Sequence, residues 1–157
     1  MKRGTEPKTI LLVEDNPDDR DLALLAFEHS NIANEIVVAE DGVTALEYLF
    51  GTDARGDPEK ARIPQIVLLD LNLPKIDGLE VLKRVRSDPR TKRLPVVILT
   101  SSDEERDMVE SYERGANSYI RKPVDFAQFI EAVQQLGLYW LVLNQVPPVD
   151  MRGELGA

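Results

Sequence analysis

Five times along this chain a short apolar run gives way to a longer amphipathic stretch. The runs are Ile10-Leu11-Leu12-Val13, Ile36-Val37-Val38-Ala39, Ile66-Val67-Leu68-Leu69 and Val96-Val97-Ile98-Leu99, with a more polar fifth over residues 117–121. A strand with one wet face alternates apolar and polar residues. Unbroken apolarity points instead to strands covered on both faces, as in a parallel sheet. The intervening stretches carry helical patterns. Residues 17–29 place Leu22, Leu25, Ala26 and His29 on one predicted face. Asn16 reads as the N-cap, Pro17 suits the first position, and Asp18 and Asp19 complement the helix dipole. Residues 41–50 repeat the pattern through Ala45, Leu46 and Leu49. Leu79, Leu82, Val85 and Arg86 mark a third helix that stops before Pro89. Ser102 and Glu105 form a capping box for a fourth, ending near Gly115. Phe126, Phe129, Ile130, Val133 and Leu136 mark a fifth. Repeated strand-then-helix units specify an α/β fold with right-handed crossovers. Residues 51–64 hold three Asp/Glu, three Lys/Arg and two Pro, and read as one long exposed loop.

Composition removes several function classes. The chain has no cysteine, which excludes disulfides, thiolate nucleophiles and Cys-ligated zinc. His29 is the only histidine, so a His-rich metal site is out of reach. Nineteen Lys and Arg against 28 Asp and Glu give a net charge of −9 over 157 residues. That balance argues against broad binding to nucleic acid or anionic membranes. No apolar run approaches the roughly 18 residues of a membrane span. Residues 1–8 read as a flexible polar tail without a signal peptide's apolar core, and a cytoplasmic location is expected.

In an open α/β sheet, ligands bind beyond the carboxyl ends of the strands. Glu14 and Asp15 stand after the first run, and Asp70, Leu71 and Asn72 after the third. Thr100, Ser101 and Ser102 end the fourth, and Lys122 and Pro123 follow the fifth. Crowded carboxylates resist joint ionisation unless a cation joins them. Hard oxygen ligands suit Mg²⁺, whose shell is often completed by water and phosphate. Lys122 supplies a point charge for an anion, and Thr100 a hydrogen-bond donor. The inventory fits phosphoryl transfer with one carboxylate as nucleophile. Taken singly, each residue has a plainer role. Asp18 and Asp19 read as helix-start acids, Ser102 as an N-cap, and His29 as a cation at a helix end. Asp70 fits a turn start as well. The joint pattern carries the specificity.

Leu12-Val13-Glu14-Asp15-Asn16, Leu68-Leu69-Asp70-Leu71-Asn72-Leu73-Pro74 with Asp77-Gly78, Leu99-Thr100-Ser101 and Lys122-Pro123 resemble the receiver domain of two-component response regulators. The resemblance covers about residues 9–136 and shows no departure at the key positions. It implies a flavodoxin-like, CheY-like five-stranded parallel sheet of order 2-1-3-4-5 flanked by five helices. It implies Asp70 as phosphoacceptor, taking its phosphoryl group from a sensor histidine kinase. Asp15, the Asp70 side chain and the Asn72 backbone carbonyl would bind Mg²⁺, with Glu14 acting mainly through water. Lys122 and Thr100 would contact the phosphoryl group, next to a cis candidate at Pro123. Tyr119 would be the aromatic switch, equally compatible with a half-buried strand aromatic. Asn72 and Ser102 would tune dephosphorylation. Such a protein catalyses its own phosphorylation and dephosphorylation and signals through a changed interaction face.

Residues 137–157 are too few for an attached DNA-binding or catalytic domain, so a stand-alone receiver is expected. Yet residues 137–143 are apolar on every side. Tyr139, Trp140 and Leu141 are candidate contacts of a homodimer formed through the fourth- and fifth-helix face; the alternative is a tail folded back on its own domain. This Tyr139-Trp140 extension, the Pro147-Pro148 pair, the Asp70-Leu71-Asn72-Leu73-Pro74 motif and the 51–64 loop together resemble the small regulators that partner bacterial phytochromes. Three other functions compete. An aspartyl phosphatase of the haloacid-dehalogenase type generally has an Asp-x-Asp pair on its first strand, and here Asp70-Leu71-Asn72 is on the third. A nucleotide or flavin site would need a Gly-rich phosphate loop, which the sequence lacks. A phosphorylation-independent binding module would have no use for the full set of Asp15, Asp70, Thr100 and Lys122.

Overall fold

The computed structural model describes residues 9–30, 35–51, 62–101, 105–122 and 125–136. Strand and helix alternate without interruption: β1 (Thr9–Val13), α1 (Pro17–Ser30), β2 (Glu35–Ala39), α2 (Gly42–Phe50), β3 (Ile66–Leu69), α3 (Gly78–Ser87), β4 (Val96–Thr100), α4 (Glu105–Glu113), β5 (Ser118–Arg121) and α5 (Phe126–Leu136). The sheet is parallel throughout, in the expected order β2-β1-β3-β4-β5.

Continuous apolarity has the cause the sequence suggested. Alternate residues of one strand enter two different cores. Leu11, Val13, Val67, Leu69, Val96 and Ile98 face the α2–α3 side, with Ala45, Leu49, Val81 and Leu82. Ile10, Leu12, Ile66, Leu68, Val97 and Leu99 face the other side, with Ala23, Ala26 and Phe27 of α1 and Phe129 of α5. Both faces of the central strands therefore leave water, and most of the hydrophobic stabilisation comes from these two layers. The fifth run is more polar because β5 is an edge strand, half-buried from Ser118 to Ile120 and exposed at Arg121.

Helix starts follow their side-chain caps. Asn16 Oδ1 accepts the Asp18 and Asp19 amides at 2.9 and 3.1 Å, as expected of an N-cap. Asp41, Asp77 and Asp125 do the same for α2, α3 and α5. The predicted face of α1 needs correction. Leu25 is 48% exposed and His29 is also exposed, while Leu22, Ala23, Ala26 and Phe27 line the inner arc. Small Ala23 and Ala26 let α1 settle close to the sheet and α5, and that rotation turns Leu25 and His29 outward. In α3, Arg86 sits on the inner side as expected, but its head is not buried apolarly. Its guanidinium donates to the carbonyls of Gly115 and Leu94, each at 2.7 Å, and to Asn117 Oδ1 at 3.1 Å. Burial lowers its pKa from the usual arginine value.

The loop between β3 and α3 is pinned at both ends by close backbone approach. A Cβ on Gly78 would collide with the carbonyl oxygen of Asp70, and one on Gly42 with that of Ile76. The Gly78 amide also donates to Leu71 O at 2.9 Å. Between them, Lys75 takes a left-handed φ of 71° and pairs with Asp41 at 3.2 Å. Gly78→Ala is expected to destabilise the protein by about 1–3 kcal/mol through overpacking. Chemical denaturation at unchanged m-value would show it as a lowered midpoint; an unchanged midpoint would contradict the tight approach.

Candidate functional site

The main chain continues its hydrogen bonding one step beyond each strand, and there the polar residues stand. Glu14 N donates to Ala39 O at 3.0 Å, Asp70 N to Val13 O at 3.0 Å, and Lys122 N to Thr100 O at 2.8 Å. Glu14, Asp70 and Lys122 are thus fixed by backbone rather than held on free loops. Their side chains meet at the carboxyl edge of the sheet.

Glu14, Asp70 and Thr100 are almost fully buried, at 1%, 5% and 0% exposure, while Asp15 is exposed. Buried carboxylates need partners. The Lys122 ammonium supplies them, lying 2.7 Å from Glu14 Oε1, 2.7 Å from Asp19 Oδ2 and 3.4 Å from Asp70 Oδ2. Glu14 Oε2 also accepts the Asn16 amide at 3.3 Å, and Asp70 Oδ1 the Asn72 amide at 3.1 Å. Asn72 Nδ2 donates to Thr100 Oγ1 at 3.4 Å, bringing the fourth strand's hydroxyl into the same group. Among the described residues no buried side-chain polar atom lacks a partner.

Four carboxylates and one ammonium leave the site with excess negative charge. Burial pushes the Glu14 carboxyl up to about 7; the Lys122 ammonium pulls against this, and Asp70 adds to it. Burial would lower Lys122, but its bonds to Asp19 and Glu14 and the charge of Asp70 outweigh this and raise it.

Glu14, Asp15, Asp70, Asn72, Thr100 and Lys122 therefore converge, as the strand-end argument expected. Tyr119 lies opposite Ile98 in the β4–β5 register and packs, half-buried, against the core layer on the α2–α3 side. Asp19 corrects the sequence reading. Its position marks it only as a helix-start acid, yet its carboxylate reaches Lys122. A signal was available: three positions after the N-cap is where a side chain reaches back over the helix start. Ser102, Pro123, Tyr139, Trp140 and Leu141 lie outside the described residues, as do residues 1–8 and 52–61.

Comparison with known proteins agrees with this geometry. The model of the family described as response regulator receiver domain matches residues 10–134. The chain belongs to the response regulator receiver family. Rcp1 of Synechocystis sp. (strain ATCC 27184 / PCC 6803 / Kazusa), a response regulator, is 39% identical over 141 residues, covering 90% of this chain and 94% of Rcp1. The solved Mn²⁺-bound form of Rcp1 superimposes with a TM-score of 0.78 at 38% identity, over 90% of this chain and 100% of that one. Phosphorylated RcpA, a cyanobacterial phytochrome response regulator, gives 0.80 at 39% identity over 91% and 100%. The bacteriophytochrome response regulator AtBRR gives 0.69 at 51% identity over 89% and 99%. This receiver is accordingly a two-component signalling protein, and neither the phosphatase nor the phosphorylation-independent binding-module reading is favoured. Among the described residues no helix is long and apolar enough to cross a membrane.

The receiver's acidic pocket fits Mg²⁺. One carboxylate oxygen each from Glu14, Asp15 and Asp70 lies within 4.8 Å of the others. Three hard oxygens on one open edge leave room for the waters and phosphate oxygens that Mg²⁺ retains. Glu14 couples that fit to pH. Below about 7 its carboxyl is largely protonated, and a cation requires the carboxylate. Mg²⁺ affinity is therefore expected to fall as pH drops through 7. Calorimetry in buffers of different ionisation enthalpy should find about one proton released per ion near pH 6 and almost none near pH 8. Glu14→Gln should release none at either pH.

Proposed function

We propose that this chain is a stand-alone receiver that accepts a phosphoryl group on Asp70 from the phosphohistidine of a phytochrome-type sensor histidine kinase in the cytoplasm. The observation that carries this reading is the meeting of buried Asp70, Lys122 and Thr100 at one sheet edge. The likeness to RcpA, a cyanobacterial phytochrome response regulator, and to AtBRR, a bacteriophytochrome response regulator, supports the kinase class.

In the transfer, an Asp70 carboxylate oxygen bonds to phosphorus while the phosphorus–nitrogen bond to the donor imidazole breaks. The imidazole nitrogen keeps that electron pair and leaves neutral once protonated. Lys122 offers a point charge to the phosphoryl oxygens, and Thr100 a hydroxyl donor. Asp15, Asp70 and the Asn72 carbonyl would hold Mg²⁺, with Glu14 acting through water, and the ion would supply charge neutralisation toward an approaching phosphate. Hydrolysis of the acyl phosphate, tuned from Asn72 and Ser102, returns the carboxylate. The chain thus catalyses its own phosphorylation and dephosphorylation.

The added charge favours one arrangement of Thr100, Tyr119 and the adjoining α4–β5–α5 face, and a partner that prefers this arrangement reads it. That face has apolar surface to offer. Val109 and Tyr112 of α4 are 48% and 49% exposed. A homodimer through this face, extended by Tyr139, Trp140 and Leu141 within residues 137–157, completes the proposal.

With a small phosphodonor and Mg²⁺, intact-mass spectra should show a phosphoryl adduct on the wild type and none on Asp70→Asn. Equal labelling of both would remove Asp70 from its role. In a panel of purified kinases, phytochrome-type enzymes should transfer fastest. Light scattering should give a dimer mass that falls on Tyr112→Glu substitution; a monomer at high concentration, with or without phosphodonor, would eliminate the dimer.

A further inference from the structure

Asp19 makes one of the two shortest contacts of Lys122, yet it belongs neither to the carboxylate trio that fits the metal nor to the phosphoacceptor. An ammonium has three hydrogen-bond donors. Here three carboxylates surround it: Glu14 at 2.7 Å, Asp19 at 2.7 Å and Asp70 at 3.4 Å. Every donor direction has an acceptor, so a further oxygen can be served only if one carboxylate gives way.

Burial decides which one. The Glu14 side chain is 2% exposed and that of Asp70 is 6%. Neither has water to replace a lost ammonium. The Asp19 side chain is 35% exposed, so its carboxylate regains solvent on release. It is also the partner whose removal costs least, as expected of a pair near the surface.

We propose that Asp19 is a positioning residue that holds Lys122 in the unphosphorylated protein and competes with the phosphoryl group for it. The inference rests on the reading of Asp70 as phosphoacceptor. A phosphoryl group brings roughly 1.5 to 2 negative charges to a site where Lys122 is already shared. Lys122 turns from Asp19 toward the new oxygens, and Asp19 turns out to water. The carboxylate thus weakens the phosphorylated state by the strength of the pair it forms in the resting one. It also ties the first turn of α1 to the end of β5 only while Asp70 is unmodified.

The test uses the full chain and beryllium fluoride with Mg²⁺, a mimic of the phosphoryl group. Asp19→Asn is expected to bind the mimic about fivefold tighter than wild type, the effect of losing a partly exposed ion pair. In the protein without Mg²⁺ or mimic, the Lys122 ammonium signal in proton–nitrogen NMR should shift in Asp19→Asn. Asp18→Asn is the control. Asp18 is an exposed first-turn acid of the same helix, so it reproduces any loss of helix-dipole stabilisation. It should leave both readouts as in wild type. An Asp19→Asn protein with unchanged affinity and an unchanged ammonium signal would overturn the proposal, as would equal changes in Asp18→Asn. If wild type and Asp70→Asn respond alike to the mimic, the phosphoacceptor reading fails and this inference falls with it.

Discussion

Two carboxylates buried at the edge of a parallel sheet, sharing one lysine, are the constraint on which this molecule is built. Glu14 and Asp70 sit where water is almost excluded, and unpaired charges there would carry a large desolvation cost. Lys122 offsets part of that cost but serves both acids and Asp19 as well. The remaining imbalance appears as a Glu14 carboxyl pushed up to about 7. A site in this condition favours a divalent cation, and charge is its currency of response. The rest of the fold serves to place these side chains without slack. β1 and β3 are buried on both faces, and their ladder partners fix where each strand ends.

The opposite edge of the sheet is held by a different device. Arg86 is a half-buried cation that donates to two carbonyls and an amide oxygen. It ties α3 to the entry of β4 and to the turn before β5. That turn runs through Gly115, whose φ of 96° places it where a side chain would press on Arg86. One end of β4 and β5 is therefore locked by neutral acceptors, which do not change with phosphorylation or pH. The other end carries Thr100, which accepts from Asn72, and Lys122, which pairs with carboxylates.

Much of this was legible in the sequence because it follows from period and position. Four unbroken apolar runs and one more polar run mark the five strands; β3, β4 and nearly all of β1 are buried while the edge strand β2 is mostly half-buried, and the strand-end rule gathers Glu14, Asp15, Asp70, Thr100 and Lys122. The cap at Asn16 followed from local chemistry. What failed was rotation and reach. Leu25 was placed inward because spacing alone cannot say which arc of α1 the sheet selects, and the small side chains of Ala23 and Ala26 selected another. Asp19 reads locally as a helix-start acid because its partner lies 103 residues away. A contact of that separation depends on α1 and β5 being brought together by the sheet, which no local window contains.

Asp19 also shows why a complete motif does not determine behaviour. Asp15, Asp70, Thr100 and Lys122 are what the resemblance to the family rests on, and they define which chemistry is available. They do not set the relative stability of the resting and modified forms. That difference depends on what else each member touches, since a ligand shifts an equilibrium only by its differential interaction with the two states. An acid on Lys122 in one state and in water in the other is such a term. It lies outside the motif, at the first turn of a helix, where sequence reads it as an ordinary cap. Two receivers with identical motifs can therefore differ in the poise of their switch through a single residue of this kind, with fold, metal site and phosphoacceptor all unchanged.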